Sequence, residues 1–493
     1  MIGNLLALIL GVAGLYGWFS LPDPYGLATL ITGVFAALLA VFHSPRKVVV
    51  RYGGLSWDRN ELCRHFLITG DTGVGKTSSG FAPLLIQITK SIPNWGGLVL
   101  GVKGDEHEFA RELCEGQGRG GDFVNLQVRP ESESTRWKPP HRYNLLSDRS
   151  LPWTTHAKAI VDTGSALTEG SQSSFFKPAA QQALANVFRL LDELEEPVTL
   201  KTAYQVLTSS HELESRVTEL AELDPTDSRI EIARYFDDTF LTAKAHEQKE
   251  GIIGTIKIFL AFFQDEDIAA VFASDESNTL EVSDVDDGMI LAVSMPQRFS
   301  TERRYINTYL KTLFYYHALR RFDKTKRERE GENLLLGVFD EFQGLVTAAE
   351  DGLADHNIVD RVRSAGMCLI CGMQSEVSAD PVIGRDKRKV LALNMRTRFI
   401  FRAADAEGAK ESAEFLGKKK WKKKSTSIRG GFFMGSGITR TRREEWDYKI
   451  QPAELMELKD HTAYIAHPNK KYIRRKIVPR KGNGTIPKWY RGF

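Results

Sequence analysis

Cysteine is scarce: the 493 residues hold four, Cys63, Cys114, Cys368 and Cys371. Thiols this few and this scattered make no disulfide framework, which fits a reducing compartment. Two of them form a C-x-x-C, but on an apolar strand residues three apart point to opposite faces. That pair cannot jointly hold a metal and reads as core. Net charge is nearly absent too, +3 at pH 7, so overall charge singles out no partner. Charged side chains are missing altogether from residues 2–19 and 25–42. Each span has about 18 residues, or about 27 Å as helix, close to the hydrocarbon thickness of a bilayer. Only the five residues SLPDP separate them. No basic segment precedes the first, which argues against a cleaved signal peptide. The expectation is a transmembrane hairpin over residues 1–45, with a pair of buried soluble helices as the alternative. Arg46, Lys47 and Arg51 follow, so the positive-inside rule puts both termini and all later residues in the cytoplasm.

Asp and Glu are in turn missing after Pro468, where Lys470, Lys471, Arg474, Arg475, Lys476, Arg480, Lys481, Lys488 and Arg491 accumulate around Tyr472, Trp489 and Tyr490. This basic tail, residues 468–493, suits phosphates or an acidic membrane surface, and equally a solvated face.

What is present is more specific. The stretch RHFLITGDTGVGKT, residues 64–77, is a short apolar strand running into G-x-x-x-x-G-K-T. Gly70, Asp71, Thr72, Gly73, Val74, Gly75, Lys76 and Thr77 form the loop. Its glycines let backbone N–H groups curl around a triphosphate, Lys76 reaches the β- and γ-phosphates, and Thr77 offers a hydroxyl to Mg2+. The helix starting near Lys76 adds its positive end. ATP with Mg2+ is the expected ligand. NLLLGVFDEF, residues 333–342, reads as a strand buried on both faces and ending in Asp340 and Glu341. Ligands sit at the carboxyl ends of such strands, so Asp340 meets the metal's shell while Glu341 polarises the attacking water. A third apolar strand, MCLICGM, ends in Gln374, placed to touch the γ-phosphate or its water, or else bonded to a loop.

The length allows two or three domains. About 260 residues separate the P-loop from the Asp-Glu strand, far more than one crossover needs. Residues 96–103 and 289–294 read as strands, but helical patterning dominates 151–275, where Phe176, Ala179, Ala183, Leu184, Val187 and Leu190 share one side of a helix. The organisation expected is a nucleotide-binding α/β domain over 46–150 and 276–493, interrupted by an all-α domain at 151–275. A lysine-rich arm spans 417–445. It contains Lys418, Lys419, Lys420, Trp421, Lys422, Lys423 and Lys424. A tryptophan among lysines suits single-stranded nucleic acid, the ring stacking on a base while the ammonium groups meet phosphates; a solvated loop that resists edge pairing is the alternative.

Taken in order, TGVGKT with APLL, LVLGVKGDEHE, RYNLL, SFFKPAAQQAL, FDEF, CGMQS, NMRTRFIFRAAD, SAEFLG and QPAELMELKDHTAYIAH resemble the type IV secretion coupling proteins, the membrane-anchored ATPases of conjugation and secretion. The chain departs from that pattern twice: Gly101 stands where the family's Asp-x-Lys-Gly has its acid, and Asn144, Leu145, Leu146 replace Asn-Pro-Leu. The resemblance implies a RecA-like fold and a ring of the FtsK and HerA type, expected to be a hexamer. It implies DNA, single-stranded or bound to a relaxase, as cargo, secretion-channel components as partners, and the bacterial inner membrane as location. Arg363 lies where the family places an arginine that reaches a neighbour's nucleotide, with Arg361 as runner-up. A receptor for protein effectors and a nucleic-acid motor of a mobile-element or defence system are the alternative functions.

Overall fold

The computed structural model describes residues 47–490 apart from 168–175, 243–245, 349–352 and 432–433, and ahead of them 25–42 with scattered positions between 12 and 22. The first expected membrane span therefore lies mostly outside the described residues. The second coincides with a helix, Tyr25–Phe42. Among the described residues no helix is long and apolar enough to cross a membrane.

The strands are β1 (Val50–Tyr52), β2 (Leu55–Trp57), β3 (Phe66–Thr69), β4 (Gly96–Leu100), β5 (Phe123–Gln127), β6 (Ile290–Ser294), β7 (Leu335–Phe339), β8 (Met367–Met373), β9 (Thr397–Ile400), β10 (Lys418–Gly431), β11 (Met434–Tyr448), β12 (Thr462–Ala466) and β13 (Tyr472–Lys476). Nine of them make one sheet in the order β13-β12-β9-β3-β8-β7-β4-β6-β5. From β5 to β9 every neighbour is parallel; β12 and β13 add an antiparallel edge beyond β9. The continuous apolar runs are explained by this arrangement. All residues of β3, β4, β7 and β8 are buried, because helices cover both faces of a parallel sheet. The four cysteines are buried and free, with Cys368 and Cys371 inside β8.

Between β5 and β6 the chain builds helices, from Trp153–Leu167 and Phe176–Glu193 through to Glu266–Phe272. Local chemistry sets their starts. Thr199, Ser209 and Thr226 each stand at a helix N-terminus with extended backbone and accept a hydrogen bond from the backbone N–H three residues on, an interaction worth about 1 kcal/mol per cap. On Phe176–Glu193 the buried residues include Ala183, Leu184, Val187 and Leu190, the side read from the sequence. The strand expected over 96–103 ends at Leu100, since the next residues turn to meet the site.

The lysine-rich arm is a long two-stranded hairpin, β10 against β11, paired from Lys418↔Tyr448 onward and separate from the main sheet. The basic tail is docked over much of its length. Its first part is edge strand β13, and Arg480 N–H then donates to Ser78 O, while Gly482 N–H reaches Glu112 Oε2.

Candidate functional site

The P-loop hangs from the carboxyl ends of two strands. Gly70 N–H donates to the main-chain oxygens of Met373 and Gln374 at the tip of β8, and Asp71 N–H donates 2.8 Å to Arg402 O just after β9. Gly75 closes the loop with φ +101°, a conformation that glycine adopts without strain. The chain then enters a wide first helical turn, Lys76–Phe81, before the regular helix Ala82–Ser91. Lys76 Nζ donates to the loop's own carbonyls, Gly70 O at 2.8 Å and Asp71 O at 3.1 Å. Burial pulls the Lys76 ammonium below its ordinary range, more than the nearby Glu341 and Asp340 raise it.

Strand β8 lies between β3 and β7, so the P-loop and the acids face one another across a single strand, and Gln374 is exposed between them. Asp340 follows β7 directly, tied by its N–H to Leu100 O at 3.0 Å, and its Oδ1 accepts the N–H of Glu341. Glu341 has φ +48°. A non-glycine residue in that region is strained, and such strain is commonly found at functional positions. Lys103 bridges the two acids, its Nζ 3.0 Å from Glu341 Oε1 and 3.4 Å from Asp340 Oδ2. Gln343 holds the other Glu341 oxygen at 2.6 Å. Burial raises Glu341, but the bonds from Gln343 and Lys103 and the charges of Lys103 and Lys76 outweigh it, so this carboxyl sits below the usual range.

Sequence reasoning missed Glu106. A Cβ on Gly101 would lie 2.1 Å from Glu106 Oε1, so the buried Glu106 carboxylate fills the place of the side chain that Gly101 lacks. Its two oxygens accept the N–H groups of Lys103 (3.0 Å) and Gly104 (2.9 Å). Burial raises the Glu106 carboxyl above its ordinary range despite these donors. The helix Ser300–Arg320 grips the same turn: Asn307 Nδ2 donates to Gly101 O and Arg303 Nη2 to Val102 O, both at 2.8 Å. Lys103 is thereby aimed at Asp340 and Glu341. The signal available in sequence was the missing acid at 101 with Glu106 five residues on.

Thr77, Lys103, Glu106 and Asp340 all line one cavity of about 380 Å³. A hydroxyl and a carboxylate are oxygen donors of the kind Mg2+ takes, so the residues fit a magnesium nucleotide. Arg361 and Arg363 are elsewhere. They are exposed on the last turn of the helix Asp355–Ser364, and Arg363 lies near Cys63 and His65, which precede β3. That is the end of the sheet remote from the P-loop of the same chain. At the arm, Lys419 Nζ covers the Trp421 ring at 3.7 Å, and Trp421 Nε1 donates to Tyr448 O. Trp446, on the opposing strand, is 64% exposed.

A P-loop strand separated from an Asp-Glu strand by one strand of a parallel sheet defines a P-loop ATPase of RecA-like fold. The helical segment interrupting that sheet and the antiparallel edge narrow the class further. The chain belongs to the type IV secretion-system coupling proteins: residues 144–475, more than half of it, match the family model described as the coupling protein DNA-binding domain. Among solved structures it is similar to plasmid coupling protein TrwB in complex with the non-hydrolysable GTP analogue GDPNP, with TM-score 0.60 at 14% identity over 89% of this chain and 91% of that one. TrwB in complex with ADP and Mg2+ gives 0.58 at 14% over 89% and 90%. TrwBdeltaN70 in complex with sulphate gives 0.59 at 14% over 91% and 94%. No curated protein matches in sequence.

Proposed function

We propose that this ATPase works as a membrane-tethered ring, hexameric as in the expectation from sequence, that moves DNA or a DNA–protein complex to a type IV secretion channel. The observation carrying the reading is the meeting of Lys76, Thr77, Asp340, Glu341 and Gln374 at one end of the sheet, in a chain whose family-matched region is a DNA-binding domain. In this scheme Lys76 binds the β- and γ-phosphates, and Thr77 and Asp340 hold Mg2+. The metal, when bound, neutralises phosphate charge. Glu341 orients the attacking water, and Gln374 lies beside the γ-phosphate. Lys103 holds Glu341 away from that task until nucleotide draws the ion pair apart. Arg363 serves the site of the neighbouring subunit, a role supported by its distance from its own P-loop. The all-α segment over 151–275 would act as a separate domain within the α/β frame.

Glu341→Gln should retain ATP binding and abolish hydrolysis, Lys76→Ala should lose both, and single-stranded DNA should stimulate the wild-type rate. Wild-type turnover in Glu341→Gln would remove the role given to that carboxylate. The membrane tether is supported by the uncharged spans 2–19 and 25–42 and the basic residues after them. Protease added outside intact cells should leave everything beyond Arg46 uncut; cleavage there would reverse the orientation.

A further inference from the structure

With Asp340 and Glu341 in the roles proposed above, a triphosphate runs across the P-loop in one direction. Its γ-end must face Asp340 and Glu341, which lie on the β7 side of β3. The nucleoside therefore leaves on the other side of β3, towards β9, β12 and β13. What the fold puts there is the C-terminal part of the chain. His461, immediately before β12, donates its N–H 2.9 Å to Val74 O in the P-loop itself. Its imidazole Nδ1 lies 2.9 Å from Ser79 Oγ, and a Cβ on Gly75 would come within 2.4 Å of that nitrogen. The His461 backbone is held at φ +60°, the second strained non-glycine residue of the site after Glu341. Arg480 N–H donates to Ser78 O, one residue beyond Thr77.

On the outer face of His461 lies an aromatic group with no core to fill. The Trp489 ring stacks on the imidazole at 5.1 Å and 28°, and Tyr490 stands edge-on to both, at 6.2 Å and 6.4 Å. Trp489 is 62% exposed. A large ring stacked on one face and open on the other is the arrangement by which proteins hold a base. The Lys476 ammonium, 5.7 Å from the Tyr490 ring centroid, brings positive charge to the same place, where the α-phosphate end of a nucleotide would leave the loop.

We propose that His461, Trp489 and Tyr490 form the nucleobase subsite of the ATP site, with the purine stacked on the Trp489 indole. This rests on the P-loop binding a nucleoside triphosphate. It gives part of the basic C-terminal tail a role in nucleotide binding, where its charge alone had suggested a partner's surface. Stacking reads the π-face, which every base has, so the subsite accepts adenine and guanine alike.

The test separates base from phosphates. Binding of a non-hydrolysable ATP analogue and of inorganic tripolyphosphate is measured by calorimetry on the full chain. Trp489→Ala should weaken the analogue roughly tenfold (about 1.4 kcal/mol) and leave tripolyphosphate unchanged, while Trp489→Phe should restore most of the loss. As a second measurement, quenching of tryptophan fluorescence by ATP, and not by tripolyphosphate, should disappear in Trp489→Phe. Lys76→Ala should lose both ligands, so failure of the P-loop reading would look different. Unchanged analogue binding in Trp489→Ala would overturn the proposal. So would equal loss of analogue and tripolyphosphate, which would make Trp489 a staple for the P-loop. Loss of single-stranded DNA binding with nucleotide binding intact would overturn it as well, in favour of a DNA-binding role.

Discussion

At the scale of single residues, the site is a set of charges already paired with one another. Lys103 sits between two carboxylates it could neutralise permanently, and what keeps it there is a third carboxylate on its own turn. Glu106 touches the backbone of the turn and leaves the Lys103 ammonium to Asp340 and Glu341. Because the Glu106 carboxylate occupies the space of a side chain at 101, the two positions are coupled. Gly101→Asp alone would press two carboxylates together in a buried site and should cost several-fold in ATPase rate and roughly 1–3 kcal/mol in stability. Glu106→Ala alone leaves the part-buried N–H groups of Lys103 and Gly104 without their acceptor and should cost somewhat less. The double variant should be less damaged than the sum, because the new Asp can take over the N–H groups that Glu106 served. Urea unfolding and steady-state hydrolysis measure both effects. Strict additivity would mean that Glu106 does not stand in for the missing acid.

At the scale of elements, the hairpin β10–β11 changes how the lysine-rich arm is read. Trp421 is covered by Lys419 and bonded to Tyr448, whereas Trp446 is the more exposed of the two, 64% against 40%, with the Lys420 ammonium farther off at 5.7 Å from its ring. For an arm that binds single strands, the expected platform for a base is therefore the more exposed Trp446, which the cluster KKKWKKK hid by drawing attention to its own tryptophan. Replacing the six lysines 418–420 and 422–424 with Ser should weaken single-stranded DNA binding and flatten its salt dependence, by roughly 0.7 in slope for each phosphate no longer neutralised. Trp446→Ala should weaken binding at nearly constant slope, and Trp421→Ala should do little. Fluorescence anisotropy over a salt series reads all three. Equal effects of the two tryptophan variants would contradict this assignment. The P-loop, the Asp340–Glu341 strand and the strand ending in Gln374 were legible because each is a local pattern, an apolar run closed by residues of fixed type. Glu106 filling Gly101's space, Trp446 facing out and His461 against Val74 were not. Each depends on a partner brought close by the turn, the hairpin register or the sheet, and spacing along the chain does not encode the last two.

At the scale of the molecule, the nucleotide elements and Arg363 lie at opposite ends of one sheet. The shared site proposed above would need a neighbouring subunit to bring them together. Mixing Arg363→Ala with Lys76→Ala subunits should recover part of the hydrolysis that each lacks alone, because some interfaces then pair an intact P-loop with an intact arginine. The rate as a function of mixing ratio should pass through a maximum. A flat line at all ratios, with mixed rings confirmed by mass, would exclude the shared site.

The joining of Ser79 to His461 spans 382 positions of sequence, and β3 gains both of its strand partners only when β8 and β9 exist. During synthesis, at roughly 5–20 residues per second, the loop that holds phosphate leaves the ribosome on the order of 20–80 s before the residues that brace it. A nascent chain thus carries its most recognisable motif through 382 further positions before His461 can brace it.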